Sequence, residues 1–464
     1  MRIFLEEIEH RTPAGISAAL GRLITSGRVA PGQRLPTVRE LATELGVSPA
    51  TISQAWQALA SVGLIVSRGR SGTFVRAPSA HPLAARSQPS LGDNGSARLD
   101  LSRGTPDPQL LPALGPALSR VSERAVTPSY QDLPVIPELQ AVLRGSWSYP
   151  VESITIVNGA LDALSRSLDH VARFGDRVVV ENPGFPPFFD LLDQLGLERL
   201  PVEVDEHGIV PAALQTALKR APAVVILQPR AHNPTGASMT AERASELAAV
   251  LDADPLNART VVIEDDHSGE ISIAPDVSLG SWLPERVLHI RSYSKSHGPD
   301  LRIAALGGPS SLIDPIVARR MLGPGWTSRM LQTILHDLLT SSDSIAQISE
   351  ARRIYFARQK ALADALTGFG LTVRQADGIN AWLPVADERG AIVELAASGI
   401  RVAGGSPFFA GPLEAQGAGS FIRVTAGALT DDLLPDTIEA VARALAAAAR
   451  PQASGNHTLD TRWA

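Results

Sequence analysis

Apolar residues recur at Ile16, Ala19, Leu20, Leu23 and Ile24, the i, i+3, i+4, i+7, i+8 spacing of one helix face. A helix is therefore expected from about Pro13 to Ser26, ended by Gly27. After the Pro31-Gly32 turn, Thr37 with Glu40 three residues on forms a capping box, and a second stripe follows at Val38, Leu41, Ala42 and Leu45 until Gly46. Ser48 can cap a third helix with Pro49 at its first position, where a missing N–H costs nothing. Ile52, Ala55, Trp56, Leu59 and Val62 make its buried face before Gly63, leaving Thr51, Ser53, Gln54 and Gln57 outside. The next segment, LIVSRGRSGTFV, reads as a basic, glycine-bearing hairpin.

Further along, the period changes. ITIVNGA, DRVVVENPG, AVVILQP, TVVIEDD, RVLHIRSYSK and RIAALGG are continuous β-branched runs separated by turns and helical stretches, which predicts strands buried on both faces of a mostly parallel sheet. Between the two patterns, residues 79–98 are rich in Ser, Pro, Ala and Gly without periodicity, so the linker is placed there. The expected organisation is a small helical module with a basic hairpin over 1–78, a large α/β domain over 99–450 and a polar, disordered tail over 451–464.

Composition narrows the chemistry. The 464 residues are 44% hydrophobic and 19% charged, with no apolar run long enough for a membrane span. The start, MRIFLEEIEH, offers no secretory signal, so a cytoplasmic protein is expected. With no cysteine, disulfides and thiolate metal sites are excluded, and the ten histidines show no ligand spacing, so no metal is expected. The net charge of -6 hides an asymmetry: residues 11–78 carry eight arginines and two glutamates, a net of +6, which suits a polyanionic partner. Lysine is confined to Lys219, Lys295 and Lys360, so chemistry that needs an amine has three candidates. Lys219 and Lys360 lie in polar helix surfaces and read as solvated charges.

Two short helices joined by a Gly-Val-Ser turn and followed by the basic hairpin read as a winged helix-turn-helix for double-stranded DNA, with the third helix entering the major groove. Over roughly 65 residues, LPTVRELATELGVSPATISQAWQALASVGLIVSRGRSGTFV resembles the GntR family of bacterial regulators. That resemblance implies DNA contacts from Arg39, Ser48, Thr51, Gln54, Arg68, Gly69 and Arg70, the arginines positioning on phosphate. Many relatives have arginine right after the serine cap, where this chain has Pro49, so specificity is expected to lean on Gln54 or the wing.

The turns after the strands are where an α/β fold puts its chemistry. VNGALDAL puts Gly159 and Ala160 at a helix start, where free N–H groups can hold a phosphate; NPGFPPF offers Phe185, HNPTG Asn233, and IEDD Asp265. RSYSKSHGPDLRIA then brings Ser292, Ser294, Lys295 and Arg302. The order Asn233, Asp265, Lys295, Arg302 resembles the fold-type-I, aspartate-aminotransferase-like enzymes that bind pyridoxal 5'-phosphate (PLP), over roughly residues 99–450. The resemblance implies that Lys295 forms the imine with PLP and that Asp265 keeps the pyridine nitrogen protonated. It further implies that Asn233 bonds the ring hydroxyl, Phe185 stacks on the ring, and Arg302 holds the phosphate with Ser292, Ser294 and Gly159-Ala160. Arg423 matches the arginine for a substrate or effector carboxylate, and Tyr130 the residue that reaches the neighbouring subunit, so a homodimer is implied. His267 stands where the family commonly has tyrosine beside the ring hydroxyl, and is expected to titrate near neutrality.

A GntR-like amino terminus on an aminotransferase-like body is the arrangement of the MocR subfamily of GntR regulators, which the chain resembles end to end. That implies a PLP-dependent transcription factor sensing PLP or an amine effector. The alternative is a working aminotransferase carrying a DNA-binding arm, favoured by HNPTG and Arg423.

Overall fold

The computed structural model describes residues 2–61 apart from 9 and 26, 64–67, 71–76, 97–123, 133–411 apart from 372, 419–430 and scattered positions between 438 and 445. The expectations for Arg68, Gly69, Arg70, Tyr130, most of the linker and the tail fall outside the described residues.

At the amino terminus, helices α1 (Arg2–Glu7), α2 (Pro13–Thr25), α3 (Val38–Leu45) and α4 (Pro49–Ser61) precede strands β1 (Ile65–Ser67) and β2 (Thr73–Val75). The capping box at α3 is reciprocal: Thr37 Oγ1 accepts from Glu40 N at 3.2 Å, and Glu40 Oε2 accepts from Thr37 N at 2.8 Å. Gly46 ends the helix in the left-handed conformation at φ 65°. The predicted stripes meet in one apolar core of Ile16, Leu20, Leu23, Leu41, Leu45, Ile52 and Leu59, with Ile65 and Val75 closing it from the wing. α1, which the apolar pattern had not suggested, adds Phe4 to that core, and Ile8 just after it joins as well. β1 and β2 pair antiparallel, and a single antiparallel bridge joins Arg34 to Phe74.

The large body begins with β3 (Leu99–Asp100), α5 (Gly115–Glu123) and α6 (Pro137–Ser146). Strands and helices then alternate: β4 (Ser153–Val157), α7 (Ala160–Val171), β5 (Arg177–Asn182), α8 (Pro186–Leu195), β6 (Glu198–Asp205), β7 (Gly208–Ile209) and α9 (Pro211–Leu218). β8 (Val224–Leu227), α10 (Ala241–Asp252), β9 (Val261–Asp266), β10 (Val287–Ser292) and β11 (Ala304–Gly308) complete an eight-stranded sheet of order β4-β11-β10-β9-β8-β5-β6-β7. β8, β9 and β10 run parallel and are buried along their whole length, as continuous apolar runs require.

β11 departs from the parallel expectation, running antiparallel to both β10 and β4. The 293–303 connection contains only a short 3-10 turn, and a parallel return needs a longer crossover, so the RIAALGG run must come back beside its predecessor. After α11 (Ser310–Met321), α12 (Arg329–Thr340) and the long α13 (Ser342–Gly368), the chain forms β12 (Ala381–Val385), α14 (Glu388–Ala397), β13 (Ile400–Arg401), β14 (Ala403–Gly404) and β15 (Ser420–Val424). β12, β15 and β14 make a three-stranded sheet over a second apolar core that includes Leu383, Ile400, Ile422 and Val424, and β13 pairs with β3.

Candidate functional site

Three strand ends lie in one row, because the register pairs Ser292 of β10 with Ala304 of β11, and Ala304 with Val157 of β4. Ser292 and Ser294, Arg302, and Asn158-Gly159 follow or precede those positions, so sheet pairing alone gathers them. Gly159 has φ 97° at the start of α7, a conformation that favours glycine, and a Cβ there would lie 2.8 Å from Arg302 Nη2, so a side chain at this position would displace the guanidinium from the helix amino terminus. Arg302 is exposed and donates only weakly to Asn158 O, at 3.4 Å, while the Ser292 and Ser294 hydroxyls are 3.0 Å apart. A cation, two hydroxyls and the free N–H groups of a helix start can hold a phosphate.

One strand over, alternation along β9 turns Asp265 to the opposite face from Glu264 and Asp266. Burial pushes the Asp265 carboxyl up to about 7, against a hydrogen bond from Gln228 Nε2 to its Oδ2 at 2.9 Å. Its Oδ1 is buried without a partner. Asp266 is treated differently: burial would raise it, but Arg230 chelates both its oxygens, at 3.0 and 2.6 Å, and holds its carboxyl below the ordinary value. Asn233 is buried, its N–H donating to Gln228 Oε1 at 2.9 Å.

Lys295 Nζ donates to the carbonyl of Gly104 at 2.7 Å. Burial, with the charge of Arg423, lowers its amine to about 8, although Asp265 opposes the shift. Arg423, on β15, is buried and donates to Asn233 Oδ1 at 3.3 Å and to the carbonyl of Ser102, with its guanidinium 5.0 Å from the Phe408 ring centre.

The near-neutral titration expected of His267 is corrected: enclosure and the Lys295 charge press its imidazole down to about 3, so it is neutral across the physiological range. Its Nε2 lies 3.2 Å from Ser268 Oγ and its Nδ1 is buried without a partner. Phe185 is half-buried in the turn just before α8.

The unsatisfied atoms describe what would complete the site. Asp265 Oδ1, His267 Nδ1 and Arg423 Nε are all buried and unpartnered, and each such group costs free energy until it is paired. A protonated pyridine nitrogen, a ring hydroxyl and a carboxylate are the complements of those three groups, so the residues fit PLP with an acidic ligand beside it. Gln228, Ser102, Gly104, Phe408 and Thr425 were not anticipated from sequence. Gln228 reads there as an ordinary polar strand end, and Ser102 and Gly104 as turn residues.

In the amino-terminal module, Ser48 Oγ accepts from Thr51 N at 3.1 Å and sits 2.9 Å from Thr51 Oγ1, so both side chains are engaged in capping α4. Arg39 and Gln54 are exposed, on α3 and α4 respectively. Lys360 pairs with Asp364 at 2.6 Å on the surface of α13, and Lys219 is exposed at the end of α9, which leaves Lys295 as the enclosed lysine.

Known proteins divide the chain in the same way. Residues 13–75 match the family described as bacterial regulatory proteins, gntR family, and residues 97–441 match aminotransferase class I and II. The chain is 38% identical to the vitamin B6 salvage pathway transcriptional repressor PtsJ of Salmonella typhimurium, over 82% of this chain and 86% of that protein. It is 30% identical to the HTH-type transcriptional regulator TauR of Rhodobacter capsulatus, over 91% of this chain and 94% of that one. Among solved structures, the α-aminoadipate aminotransferase LysN of Thermus thermophilus superposes with a TM-score of 0.65 at 23% identity, covering 75% of this chain and 92% of that one. At that identity the likeness establishes the fold-type-I architecture alone. With a GntR module and an aminotransferase body in one polypeptide, and with transcriptional regulators matching 82% and 91% of it, the chain belongs to the MocR subfamily of GntR transcriptional regulators.

Proposed function

We propose that this regulator senses PLP itself and represses genes of vitamin B6 supply, using its aminotransferase-like domain as a receptor. The observation that carries the reading is the enclosed lysine Lys295, its amine lowered to about 8, in a site whose unpartnered atoms complement the cofactor. The relationship to a vitamin B6 salvage repressor, and a further likeness at 27% identity to the pyridoxine biosynthesis regulator PdxR of Corynebacterium glutamicum over 76% of this chain and 78% of that one, point the same way.

PLP supplies an aldehyde that an amine can condense with and a pyridine ring that withdraws electrons. Lys295 would bind it covalently, Asp265 hold a proton at the ring nitrogen, Asn233 and His267 face the ring hydroxyl, and Phe185 cover the ring. Ser292, Ser294, Arg302 and the Gly159-Ala160 helix start would take the phosphate, and Arg423 the carboxylate of an amine effector. To engage the ligand, Lys295 Nζ would have to leave the carbonyl of Gly104, a residue a few positions past the 79–98 linker, so this contact would couple occupancy to the segment that leads to the DNA-binding module. The acting species is a homodimer in the cytoplasm, as the resemblance of the segment around Tyr130 implies. Among the described residues no helix is long and apolar enough to cross a membrane.

The test is a titration of the protein on DNA upstream of its own gene at fixed salt, with and without PLP, since phosphate contacts make affinity salt-dependent. A shift in affinity with PLP supports the reading; identical curves return the search to amine effectors. The buried Arg423 beside Lys295 favours a second reading, a working aminotransferase, which steady keto-acid production from an amino donor would establish.

A further inference from the structure

We infer that Gln228 is the positioning residue of the cofactor ring, one neutral amide that aligns the Asp265 carboxylate and the Asn233 turn together. Its Nε2 donates to Asp265 Oδ2 and its Oε1 accepts from Asn233 N, both at 2.9 Å. The orientation of the amide is decided by chemistry: a backbone N–H can only donate, so the oxygen must face Asn233 and the nitrogen must face the carboxylate. Gln228 is itself buried, and its own N–H is fixed by Glu181 Oε2 at 2.9 Å.

The neighbouring acid shows what the amide avoids. Asp266 is chelated by the guanidinium of Arg230, which neutralises it. Asp265 instead receives one uncharged donor on Oδ2, which orients the carboxylate while leaving Oδ1 free and its charge uncompensated. A charged partner on Oδ2 would compete with a protonated ring nitrogen, whereas an amide supports the ionised carboxylate without replacing that proton. The inference rests on the site being the PLP site.

The experiment uses full-length Gln228→Met, which removes donor and acceptor at similar volume, and Gln228→Glu, which keeps the acceptor for Asn233 but puts a second acid against Asp265. Each is loaded with PLP, and the pH at which the bound cofactor's visible band titrates is measured together with cofactor affinity. In Gln228→Met the band is expected to titrate about one pH unit higher and affinity to fall about tenfold, the worth of one hydrogen bond to a charged group. Gln228→Glu should shift the titration further in the same direction. A purely structural role would lower thermal stability and leave the titration unmoved. A wild-type band with wild-type titration in both variants overturns the inference alone, and a wild-type protein that develops no band with PLP overturns the cofactor reading and the inference with it.

Discussion

The amine of Lys295 and the carbonyl of Gly104 are joined at 2.7 Å, a contact spanning 191 positions of sequence. Gly104 is held from its other side as well, its N–H donating to Thr425 Oγ1 at 2.8 Å, and at φ 61° a Cβ on it would lie 3.1 Å from Arg423 Nη1. Lys295 and Arg423 thus grip the same backbone turn, one at the carbonyl of Gly104 and the other at that of Ser102. Gly104→Ala is expected to destabilise the protein by about 1–2 kcal/mol through the left-handed conformation, before any crowding of Arg423. Thermal unfolding of the ligand-free protein, with PLP affinity measured beside it, checks this.

Capture of PLP should follow the lowered amine. The appearance of the visible band is expected to accelerate with pH around a midpoint near 8, well below an ordinary lysine, and Arg423→Gln should move that midpoint upward by removing a neighbouring charge. The linkage has a definite sign: Lys295 sheds its proton at lower pH in the folded than in the unfolded state, so the ligand-free protein gains stability as pH rises from about 8 toward 10.5. Denaturant midpoints measured across that window test it, and a flat profile there would contradict the assignment.

Asp107 and Arg358 form a buried ion pair at 2.8 Å, and Arg358 also donates to Gly427 O at 2.7 Å. Asp107→Ala strands the guanidinium and should cost about 3–5 kcal/mol, whereas Asp107→Leu with Arg358→Met should recover much of that loss. Equilibrium unfolding of the two variants discriminates.

At the DNA-binding module, Thr37→Ala removes one half of the capping box and should cost about 1 kcal/mol, read as faster amide hydrogen exchange across α3.

Arg39 and Gln54 should separate phosphate from base contacts. Arg39→Ala is expected to weaken binding about equally on all sequences and to reduce the salt slope by about 1, while Gln54→Ala should relax preference at one base position with the slope unchanged. Binding curves on cognate and scrambled duplexes at several salt concentrations decide between them.

The amino-terminal helices were legible residue by residue because their signals are local. A capping box, a proline at a first helical turn and a left-handed glycine act within a few residues of the chain, and α3 and α4 begin where Thr37 and Ser48 said they would. That Lys219 and Lys360 are surface charges and Lys295 is the enclosed lysine was equally legible, since three lysines exist and two lie on polar helix surfaces.

What the linear order could not carry was pairing and environment. Whether β11 runs parallel or antiparallel depends on what fits between it and β10, and the neutrality of His267 depends on enclosure beside a cation that lies 28 residues further along the chain. Gln228, Ser102 and Gly104 have unremarkable sequence surroundings. They matter only because strand ends distant in sequence converge, and at that convergence buried donors and acceptors must be paired at close range or left to a ligand.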